Sequence, residues 1–98
     1  MLEKEIDAKF VTALKKRGWL SRKLTPYGFY GTVGDPDRQI IIPGEGGPRY
    51  FEVELKTASG KLSAKQKYRH EVLEHFGVKV VTVYGIEEAL EILETLGT

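Results

Sequence analysis

The stretch Arg49 to Lys56 reads RYFEVELK, and its alternation leaves little conformational freedom. Phe51, Val53 and Leu55 interleave with Tyr50, Glu52, Glu54 and Lys56. A period of two is the signature of a strand with one apolar face. The opposite face then carries two carboxylates and a lysine side by side, which raises the question of what that charge is for.

The neighbouring segments place this strand. RQIII, residues 38 to 42, is a second strand, and PGEGGP between the two is a turn by composition. Residues 3 to 17 carry Ile6, Phe10, Ala13 and Leu14 at helical spacing and stop at Gly18. Trp19 to Leu24 suits a short strand, and TPYGFYGTVGDPD, 25 to 37, is a loop rich in Gly and Pro. A helix opens at Ser63 and runs to about Phe76, where Gly77 closes it. VKVVTVY, 78 to 84, reads as a buried strand, and Ile86 to Leu96 as a final amphipathic helix. The order α-β-β-β-α-β-α predicts an α/β (α+β) fold with a mixed central sheet flanked by helices. The helix between strands 49–56 and 78–84 implies a parallel, right-handed crossover.

With 98 residues, residues 1–98 form one domain with a single core. The chain has no cysteine, which excludes disulfides and thiolate metal sites. Its first residues are charged and no run reaches membrane-spanning length. The formal net charge is +1, so any nucleic-acid role has to rest on local patches.

The hairpin brings two carboxylates together. A turn centred on 43 to 48 sets Ile42 against Arg49 and therefore Asp37 against Glu54. Directly opposed residues share a face with Cβ atoms about 4.5–5.5 Å apart. Two carboxylates that close repel by roughly 4 kcal/mol at an effective dielectric near 20. A shared proton or a divalent cation relieves this, and oxygen ligands beside a loop suit Mg²⁺. Lys56, on the same face, is placed to orient or deprotonate a water, or to stabilise charge in a phosphoryl transition state. Taken singly the motifs are bland. Glu54 with Lys56 fits a surface ion pair worth under about 1 kcal/mol, and GDPD is a turn signal.

Taken in order, GDPDRQIII, FEVELK and GKLSAKQ resemble the VRR-NUC domain (virus-type replication-repair nuclease) of the PD-(D/E)XK nuclease superfamily, in its small stand-alone phage or bacterial type. The resemblance covers nearly the whole chain. It implies a restriction-endonuclease-like core with catalytic Asp37, Glu54, Lys56 and Gln66. The implied metal ligands are Asp37, Glu54 and the Leu55 carbonyl, holding Mg²⁺ or Mn²⁺. It further implies phosphodiester hydrolysis on DNA, resolution of Holliday (four-way) junctions by a homodimer, and a cytoplasmic setting in a bacterial or phage-infected cell. A flap, nick or duplex nuclease of the same fold, or a non-catalytic DNA-binding module, are the alternatives. The family takes a Glu from its first helix, where Glu3, Glu5 and Asp7 compete here. Counting back from Gly18 favours Asp7. The loop 27 to 34 looks longer than the family's link.

Other residues have double readings. SAKQ is a capping box, so Gln66 suits a helix cap as well as a site. Lys61, Lys65, Lys67, Arg69 and His70 around the second helix, with Lys23, fit either a solvated face or contacts to DNA phosphates. Tyr27, Phe29 and Tyr30 suit base stacking, core cover or a dimer interface, the last being preferred. Ile86, Leu90 and Leu93 offer a second dimer surface. His70 and His75 lack a zinc-like pattern and are expected in solvent.

Overall fold

The computed structural model describes residues 1–24 and 33–98. Seven elements follow one another: α1 (Glu3–Lys16), β1 (Leu20–Lys23), β2 (Arg38–Ile42), β3 (Arg49–Lys56), α2 (Ala64–His75), β4 (Val80–Tyr84) and α3 (Gly85–Leu96). This is the predicted order. The strands form one mixed sheet in the order β1-β2-β3-β4, antiparallel except for the parallel β3–β4 pair that α2 connects.

The sheet has two covered faces with different chemistry. Ile40 and Ile42 of β2, Phe51, Val53 and Leu55 of β3, and Val83 of β4 are buried together with Ile6, Phe10 and Leu14 of α1 and Ala89, Leu93 and Leu96 of α3. Both helices carry their apolar residues at three- and four-residue spacing, which gives each one stripe to lay on the sheet. Each fully buried aliphatic or aromatic side chain contributes roughly 1.5–3 kcal/mol. Phe10, with no exposed surface, is a position where truncation to alanine costs about 3–5 kcal/mol. The other face carries Glu52, Glu54 and Lys56 and receives α2.

Two expectations need correction. Residues 78 to 84 were expected to form a buried strand. β4 instead closes one edge of the sheet, and Val83 is its one buried residue. The apolar side of α3 was expected to leave a dimer surface, but Leu93 is core and Ile86 packs against it, leaving Leu90 exposed. The aromatic cluster Tyr27, Phe29 and Tyr30 lies outside the described residues. Among the described residues no helix is long and apolar enough to cross a membrane.

Candidate active site

The β2–β3 register decides where the carboxylates go. Arg38 pairs with Val53 and Ile42 with Arg49, as the Gly/Pro turn predicted. Asp37, one step before β2, therefore meets the end of β3 where Glu54 stands. Its backbone carbonyl accepts the Leu24 N–H at 2.8 Å, which ties it to the end of β1. Its carboxylate Oδ2 accepts the Leu55 N–H at 2.6 Å. A charge-assisted bond to a backbone amide fixes that side chain without using a rotatable partner.

Glu54 is buried, with 1% of its surface exposed. Gln66 Nε2 lies 3.4 Å from its Oε2, and His70 Nε2 lies 3.3 Å from its Oε1. Burial, then the hydrogen bond with Asp37 and the Asp37 charge, push its carboxyl up to about 9, against an opposing pull from Lys56. Burial and the Asp37 carboxylate thus favour the protonated form of Glu54. This is the cost that the sequence assigned to opposed carboxylates.

α2 is held against this face by the GDPD loop. Gly34 has φ +93°, and a Cβ there would sit 2.7 Å from the Lys65 carbonyl oxygen, so only glycine lets the loop approach the helix. Pro36 is fully buried. Arg69 Nε donates to Asp35 Oδ1 at 2.6 Å. Arg69, expected to contact DNA, is thus engaged in fastening the loop to α2. The turn motif has a structural task, which is to hold Asp37 and the helix in one frame.

Gln66 completes the expected capping box and also reaches Glu54. Its backbone N–H donates to Ser63 Oγ at 3.1 Å, and its side-chain oxygen accepts the Ser63 N–H at 2.8 Å, completing the capping box. The amide nitrogen left over is the one that faces Glu54. One side chain caps the helix and addresses the site because the helix starts there.

The three carboxylates of α1 have different surroundings. Glu5 accepts the Leu2 N–H at 3.0 Å and caps the helix. Asp7 binds Arg38 through both oxygens, at 2.5 and 2.8 Å, and that guanidinium holds its carboxyl below the usual range. A cavity of about 200 Å³ is lined by Glu3, Lys4, Asp7, Lys23, Asp37 and Leu55. Asp7 is there but already bonded, whereas Glu3 is exposed and its charge is felt at Glu54. Lys56 is half-buried on the Glu54 face, and Lys23, Lys61, Lys65 and Lys67 are exposed.

His70, expected in solvent, is buried. It is 6% exposed, and burial holds its imidazole below the ordinary value. Only His75 is exposed as expected. The signal available in the sequence was spacing: four residues separate Gln66 from His70, so both fall on one helix face.

Among the described residues no group of three or more His, Cys, Asp or Glu is arranged as a metal cage. Two hard carboxylates beside a main-chain segment fit a cation that keeps several waters, as Mg²⁺ does. Burial and the Asp37 charge both disfavour the ionised form of Glu54, and a nearby positive charge would relieve this.

Neither a family model nor a curated protein matches the chain. A solved structure described as a VRR_NUC domain does. It superposes with a TM-score of 0.78 at 26% identity, over 94% of each chain. The chain has the VRR_NUC fold. The VRR_NUC likeness extends over nearly the whole chain and supports a nuclease domain of the PD-(D/E)XK type.

Proposed function

We propose that this VRR_NUC-fold chain is a divalent-metal-dependent endonuclease that hydrolyses DNA phosphodiester bonds and resolves four-way junctions as a homodimer. The observation that carries the reading is Glu54, buried beside Asp37, where burial and the neighbouring carboxylate raise its pKa. A non-catalytic binding module has no use for such a pair, which repels the phosphates it would have to hold.

Asp37, Glu54 and the Leu55 carbonyl are the groups that would hold Mg²⁺ or Mn²⁺, with Glu3 rather than Asp7 as the first-helix carboxylate beside them. The bound cation would polarise a phosphoryl oxygen and acidify a water. The Asp37 bond to the Leu55 amide keeps its carboxylate from turning away. Lys56, on the Glu54 face, orients or deprotonates the attacking water or offsets charge on the phosphoryl oxygens, and Gln66 braces Glu54. Lys23 at the cavity, with Lys61, Lys65 and Lys67, supplies sequence-independent contacts to backbone phosphates.

A dimer suits a two-fold branched substrate, because two identical sites related by one axis cut matching strands. A row of partly exposed apolar side chains, Leu20, Ile41 and Tyr50, crosses three strands in register and is a surface on which copies can meet. The test is a panel of flap, nicked, duplex and four-way DNA in Mg²⁺, with light scattering alone and with the junction. Paired symmetric cuts in the four-way DNA by a dimer support the reading. Preferential cleavage of flaps, nicks or plain duplex replaces junction resolution by another nuclease specificity.

A further inference from the structure

α2 presents little apolar surface. Among the described residues its one buried member is His70. The group that buried His70 meets is Glu54. Gln66 and His70 stand on one face of α2, one at each oxygen of the Glu54 carboxyl, at 3.4 and 3.3 Å. With Glu54 1% and His70 6% exposed, bulk water does not compete for the contact.

We propose that His70 is a positioning residue, whose Nε2–H holds Oε1 of ionised Glu54 while Gln66 holds Oε2, so that α2 sets the angle at which Glu54 faces the cation. This rests on the reading of Glu54 as a metal ligand. An ionised carboxylate has acceptor sites only, so the ring nitrogen facing it has to be the donor. Outer groups of this kind orient a ligand and tune its basicity, and their loss weakens metal binding about 10- to 100-fold. The loop contacts at Gly34 and Asp35 then gain a purpose, since they hold the helix that carries both nitrogens.

Titration calorimetry of the full chain with Mn²⁺ tests this, in wild type, Glu54→Gln, His70→Leu, His70→Asn and His70→Gln, with a melting curve in EDTA for each. Glutamine carries its amide nitrogen about as far from the backbone as imidazole Nε2, and asparagine stops short of it. His70→Leu and His70→Asn should weaken Mn²⁺ binding about tenfold or more and lower kcat with little change in KM for DNA, and His70→Gln should restore most of both. Unchanged affinity in His70→Leu and His70→Asn, with only the melting temperature moved, overturns the proposal and leaves His70 a packing residue. If Glu54→Gln loses Mn²⁺ while these two keep it, the positioning role alone falls. If Glu54→Gln also binds Mn²⁺ as wild type does, the ligand assignment falls with it.

Discussion

Replacing Glu54 by glutamine removes a titratable group but almost no volume. In the native chain this carboxyl is raised from 4.5 to about 9, by burial first and by Asp37 next. A carboxyl raised on folding stabilises the native state fully only below its unfolded value, and that stability drains away as pH climbs toward 9. At pH 7 the native state has to retain a proton that the unfolded chain has released. Across the interval from 4.5 to 7, at about 1.36 kcal/mol per pH unit, this costs on the order of 3 kcal/mol. Glutamine avoids the cost, because its amide donates toward Asp37 as the protonated acid does and its oxygen accepts from Gln66. In EDTA, Glu54→Gln should therefore melt above wild type at pH 7 and further above it at pH 8.5, with the gap closing near pH 4.5. A 1 kcal/mol difference in a domain this size is about 4–8 °C, so thermal melts at three pH values resolve it. A gap that is constant with pH, or a variant that melts below wild type at pH 8.5, would refute the reasoning.

Metal binding has to expel the same proton, so calorimetric Mg²⁺ affinity of the wild type should rise about tenfold per pH unit between pH 6 and 8; a flat profile contradicts the Glu54 assignment. Gly34→Ala should destabilise by about 1–3 kcal/mol in urea melts, from the positive φ alone, and more from the clash with the Lys65 carbonyl. Asp7→Asn should cost about 1–2 kcal/mol of stability while sparing cleavage, and Glu3→Gln should do the reverse; matched melts and cleavage assays separate them.

How much of this was legible in the sequence differs from residue to residue. The Asp37–Glu54 opposition was readable because a Gly/Pro turn fixes register, and register alone fixes which side chains meet. The capping box was readable because Ser63 and Gln66 are local. His70 was not, because its partner depends on how α2 docks, and that is set by Gly34 and Asp35 approaching from a distant loop. The Arg38 partner of Asp7 was illegible for a related reason. Arg38 shares its face with Ile40 and Ile42, which turns its guanidinium toward α1 and claims both Asp7 oxygens. Leu93 shows the limit of an amphipathic pattern, which marks an apolar stripe but not whether the chain's own core covers it.

The central claim is that Asp37 and Glu54 hold a cation that cuts DNA. Labelled four-way junction incubated with wild type and with Asp37→Asn, each in Mg²⁺ and in EDTA, tests it most directly, with melting curves showing that both chains are folded. Cleavage by the wild type in Mg²⁺ alone, absent in EDTA and absent in a folded Asp37→Asn, is the predicted result. Cleavage that survives EDTA, or that Asp37→Asn carries out at the wild-type rate, would contradict it.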